Sequence, residues 1–359
     1  MKPKKLLLAG SHAGATAIAI VKEIKKEKLP WRVFWVGKKW ATEEKTSFTL
    51  EYNMLPKMGV TFFPLESGRI QTKFTRYTVS SFLKVPLGFL VAGYIVAKIK
   101  PDVILTFGGA AGAEASFWGW VFGIPVIVHE QTSVAGRANL FSSKFANAVA
   151  VSRDSSLKFF KGKNTVLTGN PVDEAILTAK PHARQKPFTI FITGGSRGSQ
   201  RLNEAVEPIL RGLLKKYNVV WQVGDANMNK IRLKDKNLRI YGQINSQDWL
   251  ETISMADIVV SRAGANIVSE LIALKKPCIL IPIPWTYLDE QTQNANFAKN
   301  FGIANVLSQD RLTPQALNEE IEDVENNYSK ILSLVETKTS PDIEASKNLV
   351  KLLKKYAQT

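Results

Sequence analysis

The sequence predicts an α/β protein with two doubly wound domains, each built on a parallel sheet. Short apolar runs alternate with helical patterns, as where "KKLLLAG" is followed by "TAIAIVKEIKKE". These runs are apolar at nearly every position, which is typical of strands buried on both faces of a parallel sheet. The alternation pauses at "TGNP" (168–171) and restarts at "FTIFITGG". We therefore expect two domains that join near residue 170.

The first domain begins with a leucine-rich strand, which leads through the small-residue turn "GSHAG" (10–14) into a helix. Further apolar runs predict more strands because each is short and is followed by turn residues or a helical pattern. The predicted strands are "KKLLLAG", "WRVFWVG", "DVILTFGG" and "IPVIVHE", with helices such as "GAEASFWGWVFG" between them.

The second domain repeats the opening pattern of strand, small-residue turn and helix in "FTIFITGGSRGSQRLNEAVEPIL". Its further predicted strands are "NVVWQVG", "LRIYG", "DIVVSR" and "PCILIPI". The final segment, "DIEASKNLVKLLKKYAQ", predicts a helix that must dock on another surface, because it carries an apolar stripe. That stripe consists of Ile343, Leu349, Val350 and Leu353.

The composition fits two ordinary domains, since 359 residues of which 45% are hydrophobic can form two cores. The single cysteine, Cys278, lies in an apolar run and predicts a buried thiol in a reducing compartment. The N-terminal "MKPKKLLLAG" has too short an apolar core for a signal peptide. The apolar stretch 85–97 is too short to span a membrane and contains Pro86.

The net charge of +17 is concentrated near the N-terminus, where the first hundred residues hold 18 Lys and Arg against 6 Asp and Glu. Such a basic surface suits nucleic acid, an anionic membrane or plain solvation. The sequence has no zinc-ligand spacing, no aromatic RNA-binding motif and no heptads. We therefore expect no nucleic-acid partner.

A turn of small residues follows the apolar run 258–260 in "SRAGANIVSE" (261–270). Small residues there let an anion approach the backbone N–H groups of a helix N-terminus. A carboxylate further along, Glu270, can accept hydrogen bonds from sugar hydroxyls. The alternative is a tight loop with a surface glutamate.

A second small-residue turn, "GGSRGS" (194–199), resembles a phosphate-binding loop, although it fits neither GxGxxG nor Walker A. A plain tight turn is the alternative. The chain has no Asp-x-Asp triplet, so no metal is expected to hold a diphosphate. Helix N-termini and backbone amides would have to neutralise it instead.

Polar residues also lie where strands of the first domain end. The strand "IPVIVHE" ends in His129 and Glu130, followed by Gln131, at the sheet edge where such folds bind ligands. These groups could instead satisfy one another and cap a helix beginning near Val134. His12, in the first strand-to-helix turn, is either a functional or a capping residue.

The motifs together, in this order and at this spacing, resemble the MurG family of N-acetylglucosamine transferases of peptidoglycan synthesis. The resemblance runs from about residue 5 to the C-terminus, and the "HEQ" and "SRAG…SE" blocks are its most diagnostic parts. It implies the GT-B fold, with two Rossmann-like domains facing across a cleft. Residues 1–168 and the C-terminal helix 342–359 would bind acceptor and membrane, and residues 169–341 would bind the UDP-sugar donor.

The resemblance implies an inverting transfer from UDP-N-acetylglucosamine to the C4 hydroxyl of lipid I, the undecaprenyl-linked acceptor, forming lipid II. It implies no cofactor and no metal. His12 is the first candidate for the general base, because imidazole titrates near working pH, and Glu130 is the second.

Binding roles are implied where the family's motifs survive. Ala265 and Asn266 would meet the donor diphosphate at a helix N-terminus, and Glu270 would hold the ribose hydroxyls. The backbone of Ile244 would meet uracil, while Gln291 and Asn294 would contact the transferred sugar. The remaining implied substrate-binding residues are Gly10, Ser11, Thr132, Asn139, Ser196, Arg197, Arg262 and Gly264.

Three positions depart from the family's pattern. The first loop has fewer glycines, although His12 aligns with the family histidine. Thr132 stands where the family has asparagine, and Asp173 stands where it has a basic residue. Asp173 would weaken anion binding locally unless Arg197 or Arg262 compensates.

We expect a peripheral protein on the cytoplasmic face of the cell membrane, with an anionic membrane surface as a partner. Basic and apolar residues alternate within 73–89, a composition typical of interfacial binding. The apolar residues of 90–97 are instead expected to be helix core. The predicted membrane contacts are Lys73, Arg76, Phe82, Lys84, Leu87 and Phe89.

Two alternatives remain open at the level of sequence. One is a GT-B transferase with another lipid-linked acceptor, such as a glycolipid synthase. The other is a nucleotide-binding protein, regulatory or dinucleotide-binding, without transfer activity.

Overall fold

A computed structural model describes residues 3–11, 13–41, 47–68, 78–179, 186–195 and 198–357. The chain divides into two compact units, Met1–Asp173 with Pro341–Thr359 and Glu174–Ser340. Each unit contains one sheet, and the two sheets are described in turn.

The first unit holds a parallel sheet that, over the described residues, has the strand order β3-β2-β1-β4-β5-β6-β7. Its strands are β1 (Lys4–Gly10), β2 (Trp31–Gly37), β3 (Thr61–Pro64), β4 (Val103–Thr106), β5 (Val126–Glu130), β6 (Ala148–Val151) and β7 (Thr165–Leu167). The helices up to residue 173 are α1 (Gly14–Lys26), α2 (Leu50–Met54), α3 (Thr78–Ile99), α4 (Gly109–Val121), α5 (Arg137–Ser142) and α6 (Asp154–Leu157).

The central strand β1 shows why the sheet is buried on both faces. Successive side chains of a strand point to opposite faces. Leu6 and Leu8 enter the core beside α1, whereas Leu7 and Ala9 enter the core beside α3 and α4. This two-sided burial is the reason that the sequence of β1 is apolar throughout.

The second unit repeats the arrangement, with the strand order β10-β9-β8-β11-β12-β13 over the described residues. Its strands are β8 (Thr189–Thr193), β9 (Asn218–Gln222), β10 (Leu238–Tyr241), β11 (Ile258–Ser261), β12 (Cys278–Leu280) and β13 (Ala304–Val306). Its helices are α7 (Glu174–Leu177), α8 (Gln200–Val206), α9 (Leu210–Leu213), α10 (Ser246–Met255), α11 (Ala265–Ala273), α12 (Glu290–Phe301), α13 (Pro314–Asn326) and α14 (Tyr328–Val335).

The predicted parallel sheets are confirmed, and four short strands that the sequence did not reveal are added. These are β3, β6, β7 and β13, of three or four residues each. Segments of this length carry too little periodicity to be distinguished from loops by pattern alone.

The last helix, α15 (Ala345–Ala357), packs against α1 in the first unit. Leu349, Val350 and Leu353 are fully buried in the same core as Leu6 and Leu8. Ile343, predicted to belong to this apolar stripe, is exposed because it precedes the helix. The interpretation of that residue was wrong.

A buried ion pair fixes the point where the chain returns to the first unit. The Arg153 guanidinium donates to both carboxylate oxygens of Asp342, at 2.6 and 2.8 Å. The same carboxylate accepts the backbone N–H of Asn170 at 2.7 Å. Because both charges are buried, losing either partner would leave the other uncompensated. The pair therefore holds the segments around residues 153, 170 and 342 together.

Candidate functional site

Two turns leave the second sheet side by side, at the point where its strand order reverses. Strands β8 and β11 are neighbours, and Thr193 is in register with Ser261. The turns 194–199 and 262–264 therefore begin at the same edge of the sheet. In doubly wound folds this reversal point is where ligands bind.

Helix α11 begins directly after the second of these turns. Gly264 is its N-cap residue, and no side-chain hydrogen bond caps the helix within the described part of the chain. The first N–H groups of a helix have no partner inside the helix, and its dipole favours negative charge there. The predicted anion contacts Ala265 and Asn266 thus lie at the start of a nine-residue helix whose dipole has the required direction.

Arg262 joins the two turns. Its Nε and Nη2 atoms donate to Ser199 Oγ at 3.1 and 2.7 Å, and Nη1 donates to the carbonyl of Ile281 at 3.1 Å. The side chain is only 9% exposed, and burial, with repulsion from Arg201, lowers the pKa of Arg262. These contacts favour a role in holding the turns, whereas the family resemblance implied a substrate-binding residue.

The residues predicted to contact the transferred sugar form hydrogen bonds with the segments that follow β11 and β12. Asn294 Nδ2 donates to the carbonyl of Ala263 at 3.2 Å, and Gln291 Oε1 accepts the N–H of Ile283 at 3.1 Å. Both residues lie on α12, which Leu288 and Asp289 precede in left-handed backbone conformations, with φ of 53° and 51°. Non-glycine residues rarely adopt this conformation, and such strain often accompanies functional sites.

Glu270 is brought beside a residue that the sequence did not single out. Its Oε2 atom accepts a hydrogen bond from the indole Nε1 of Trp249 at 2.9 Å, and the glutamate is 8% exposed. Trp249 and Glu270 are therefore in direct contact, and Ile244 packs against the same core cluster as Trp249. The available signal was a tryptophan in the amphipathic segment "SQDWLETISM", since a buried indole N–H usually finds a partner.

The "GGSRGS" turn is shaped by its glycines. A Cβ atom on Gly194 would lie 2.3 Å from the backbone nitrogen of Ser199, and one on Gly198 would lie 2.3 Å from the carbonyl oxygen of Val223. Only glycine fits such close backbone approaches. The predicted contacts Ser196 and Arg197 lie outside the described residues.

The first unit has a corresponding pair of turns, after β1 and β4. A Cβ atom on Gly109, which has φ of +73°, would lie 2.7 Å from Ser11 Oγ, so these turns are in contact. Gly10 ends β1, and His12 lies outside the described residues. The N–H of Ala13 donates to the buried carboxylate of Glu51 at 2.9 Å. Glu51, which the sequence did not reveal, thus places a negative charge at the N-terminus of α1.

Glu130 closes the loop that follows β5. Its Oε1 atom accepts from the N–H and hydroxyl of Thr132, at 3.1 and 2.9 Å, and Oε2 accepts from Gly136 N–H and Asn139 Nδ2, at 2.9 and 2.8 Å. Burial raises the pKa of Glu130, and these hydrogen bonds oppose that rise. The network favours a structural role for Glu130, Thr132 and Asn139 over the predicted catalytic and binding ones.

The same network explains where the next helix begins. Because residues 131–136 form a loop around Glu130, α5 starts at Arg137. The predicted start near Val134 was wrong. His129, next to Glu130, is fully buried, and its Nε2 lies 3.1 Å from the carbonyl oxygen of Gly169. Burial lowers the pKa of His129 to about 4, so the ring is neutral at pH 7.

Asp173 is paired within its own unit. Lys22 Nζ lies 2.8 and 2.6 Å from its two carboxylate oxygens. The negative charge that departs from the family's pattern is therefore met by α1. Arg262, one of the two arginines expected to compensate for this charge, is engaged with Ser199 and the carbonyl of Ile281.

The predicted membrane contacts are only partly described. Lys73 and Arg76 lie outside the described residues, as do the side chains of Phe82 and Lys84. Leu87 is 60% exposed, and Phe89 is half-buried against Phe117, with ring centroids 5.7 Å apart.

Exposed apolar side chains continue beyond residue 89. Leu90, Val91 and Tyr94 are 66%, 37% and 65% exposed, so the prediction that 90–97 is helix core was wrong for these three, although Ala92, Ile95 and Val96 are buried. Leu87, Leu90 and Tyr94 share one face of α3 by their spacing. We call the following set the apolar surface: Leu87, Leu90, Tyr94, Trp120, Phe122 and Phe141.

Ring contacts connect the helices that carry the apolar surface. Phe117 contacts Phe89, Trp120 and Phe145, and Phe145 contacts Phe141. Within the described residues, no helix combines the length and the apolarity needed to cross a membrane.

Comparison with known proteins gives the family. The glycosyltransferase family 28 N-terminal domain matches residues 15–151, and the glycosyltransferase family 28 C-terminal domain matches residues 189–353. The crystal structure of Acinetobacter baumannii MurG is similar with a TM-score of 0.70 at 24% identity, covering 98% of this chain and 100% of that one. The crystal structure of the glycotransferase of kitacinnamycin is similar with a TM-score of 0.71 at 13% identity, covering 99% and 100%.

Both structures confirm the GT-B fold. A curated sequence relative also identifies the family. The UDP-N-acetylglucosamine–N-acetylmuramyl-(pentapeptide) pyrophosphoryl-undecaprenol N-acetylglucosamine transferase of Clostridium kluyveri is 30% identical, over 98% of this chain and 99% of the relative. With a match of this identity over nearly its whole length, the chain belongs to the MurG family of glycosyltransferases.

Proposed function

We propose that this protein transfers N-acetylglucosamine from UDP-N-acetylglucosamine to the C4 hydroxyl of N-acetylmuramic acid in lipid I, forming lipid II for peptidoglycan synthesis. The name of the Clostridium kluyveri relative specifies this sugar and a pyrophosphoryl-undecaprenol acceptor. The observation that carries the proposal is the place of Glu270, on the helix that begins where the strand order reverses.

The spacing along α11 suits a nucleoside diphosphate. Glu270 follows Ala265 by five residues, which corresponds to about 7.5 Å along a helix axis. A diphosphate at the helix N-terminus would therefore place the ribose hydroxyls within reach of the carboxylate. The backbone of Ile244, in contact with the same core cluster as Trp249, would meet the uracil.

The reaction is an inverting displacement. The acceptor C4 oxygen forms a bond to the anomeric carbon, the bond from that carbon to the β-phosphate oxygen breaks, and UDP leaves from the opposite face. Negative charge develops on the leaving diphosphate. Preorganised N–H groups at the start of α11, on turns held by Arg262 and Ser199, would stabilise that charge.

The proton of the acceptor hydroxyl needs a base, for which we propose His12. An imidazole titrates near neutral pH and suits this step. Glu130 is a poorer candidate, because its two oxygens already accept four hydrogen bonds within its own loop.

Because the proposed acceptor is a lipid of the membrane, we propose that the protein binds peripherally to the cytoplasmic face of the cell membrane. The apolar surface supplies exposed area for insertion, and Lys98 lies beside Tyr94, with its Nζ 5.7 Å from the ring centroid. Lys73, Arg76 and Lys84 add positive charge nearby in the sequence. Interfacial binding combines these two contributions.

The transfer itself is tested by following UDP release with and without acceptor. We expect release from UDP-N-acetylglucosamine to require lipid I and to yield lipid II. Transfer to another lipid-linked sugar, but not to lipid I, would support a glycolipid synthase. If the protein binds UDP-N-acetylglucosamine but releases no UDP with any acceptor, a nucleotide-binding protein without transfer activity would be supported.

The ribose assignment predicts that Glu270→Ala weakens UDP binding about 30- to 1000-fold, as measured by calorimetry. The estimate corresponds to a loss of about 2–4 kcal/mol for charge-assisted hydrogen bonds partly replaced by water. Glu251→Ala, at an exposed carboxylate of α10, is the control and should bind UDP normally. Equal UDP affinity in the Glu270 and Glu251 variants would contradict the assignment.

The choice of His12 over Glu130 as the general base predicts different effects for variants of the two residues. His12→Ala should lower kcat by a factor of about 10²–10⁴ with little change in donor affinity. Glu130→Gln should mainly lower stability, by about 2–4 kcal/mol, because it disturbs a buried network around a charged group. Steady-state kinetics and urea unfolding separate these outcomes. A kcat loss confined to the Glu130 variant would make Glu130 the base.

Membrane placement predicts that Leu90→Glu with Tyr94→Glu reduces sedimentation with anionic phospholipid vesicles by about tenfold or more, because apolar area is lost and negative charge added. UDP binding should remain unchanged. Leu167→Glu with Ile343→Glu, at exposed apolar residues elsewhere in the first unit, is the matched control. Equal vesicle binding by the two double variants would place the contact elsewhere.

A further inference from the structure

We propose that Trp249 is a positioning residue for Glu270 and thereby helps to determine how strongly the site recognises ribose. The inference rests on the proposed function, which assigns the ribose hydroxyls to Glu270. The sequence predicted no role for Trp249, which lies on α10, whereas Glu270 lies on α11. Trp249 would act on UDP binding through the Glu270 carboxylate.

The indole is held from several directions. Trp249 lies on α10, and its backbone N–H donates to the carbonyl of Asn245 at 2.8 Å. The Asn245 side chain fixes the start of this helix, because its Oδ1 accepts the N–H of Asp248 at 3.0 Å and its Nδ2 donates to the Asp248 carboxylate at 2.8 Å. The ring packs edge-on against Phe191 of β8, at 5.5 Å and 76°.

The held ring in turn orients the carboxylate. The indole Nε1 donates to Glu270 Oε2 at 2.9 Å, and an indole N–H is a donor only. It therefore requires an acceptor oxygen and fixes the rotation of the carboxylate about its last bond. A carboxylate can accept about four hydrogen bonds, so the bond from Trp249 is compatible with bonds from ribose hydroxyls. Because the carboxylate is already oriented, less side-chain freedom is lost when the nucleotide binds.

A second tryptophan of the same unit provides a comparison. Trp221, on β9, is fully buried, and its Nε1 has no hydrogen-bond partner among the described residues. Burial alone therefore does not direct an indole N–H to a carboxylate in this unit. The contact between Trp249 and Glu270 depends on where α10 and α11 place the two side chains.

Trp249→Phe tests the proposal because it removes the N–H donor and retains an aromatic ring. We expect UDP affinity to fall about 5- to 20-fold, because the variant loses the hydrogen bond to the Glu270 carboxylate and affects UDP only indirectly, through that carboxylate. Affinity for 2′-deoxy- and 3′-deoxy-UDP should fall less, so that the preference for the ribose diol shrinks. At saturating donor, kcat should be unchanged. Trp221→Phe is the matched control and should preserve the preference.

The double variant Trp249→Phe with Glu270→Ala shows whether Trp249 acts through the carboxylate. We expect it to bind UDP as weakly as Glu270→Ala alone, since nothing remains to be positioned. Equal loss of affinity for UDP and its deoxy analogues in Trp249→Phe, unchanged UDP affinity, or additive losses in the double variant would each overturn the proposal. If Glu270→Ala itself binds UDP normally, the ribose assignment under the proposed function fails instead.

Discussion

The contact between Arg262 and Ser199 holds together the part of the second unit on which the candidate donor site depends. Parallel strands β8 and β11 deliver two turns to one point, but the strand order alone does not fix how closely the turns approach. The guanidinium spans them through Ser199 and the carbonyl of Ile281. Since Ser199 is also the N-cap of α8, one buried cation links the starts of α8 and α11.

Buried charges in the first unit hold loops in place in the same way. Glu130 accepts hydrogen bonds from the loop after β5, and Glu51 accepts one from the N–H of Ala13. Asp342 accepts hydrogen bonds from Arg153 and from the backbone N–H of Asn170. Each of these carboxylates accepts backbone N–H groups that would otherwise be buried without a partner. Polar residues near the edge of this sheet thus hold loops in place, whether or not they also bind a ligand.

Much of the fold and part of the site were predictable from local pattern. Two-sided apolar runs identified the longer strands, the small residues of "SRAGANIVSE" identified the turn before α11, and the position of Glu270 followed from that turn. The hydrogen-bond partners of Glu130, Arg262 and Asn294 were not predictable, because a polar residue near a sheet edge can contact a ligand, its own loop or both. Only the tertiary structure shows which protein groups they contact.

The sequence by itself determined the doubly wound class, the repeat of the strand–turn–helix pattern in two domains, and the family resemblance. These depend on periodicity and on motifs whose residues are neighbours in the chain. Only the tertiary structure decided that Trp249 meets Glu270, that Lys22 pairs with Asp173, and that Leu90 and Tyr94 stay exposed while Ile95 is buried. Such contacts join segments that are distant in sequence or depend on which helix face meets the sheet, and folding alone brings them together.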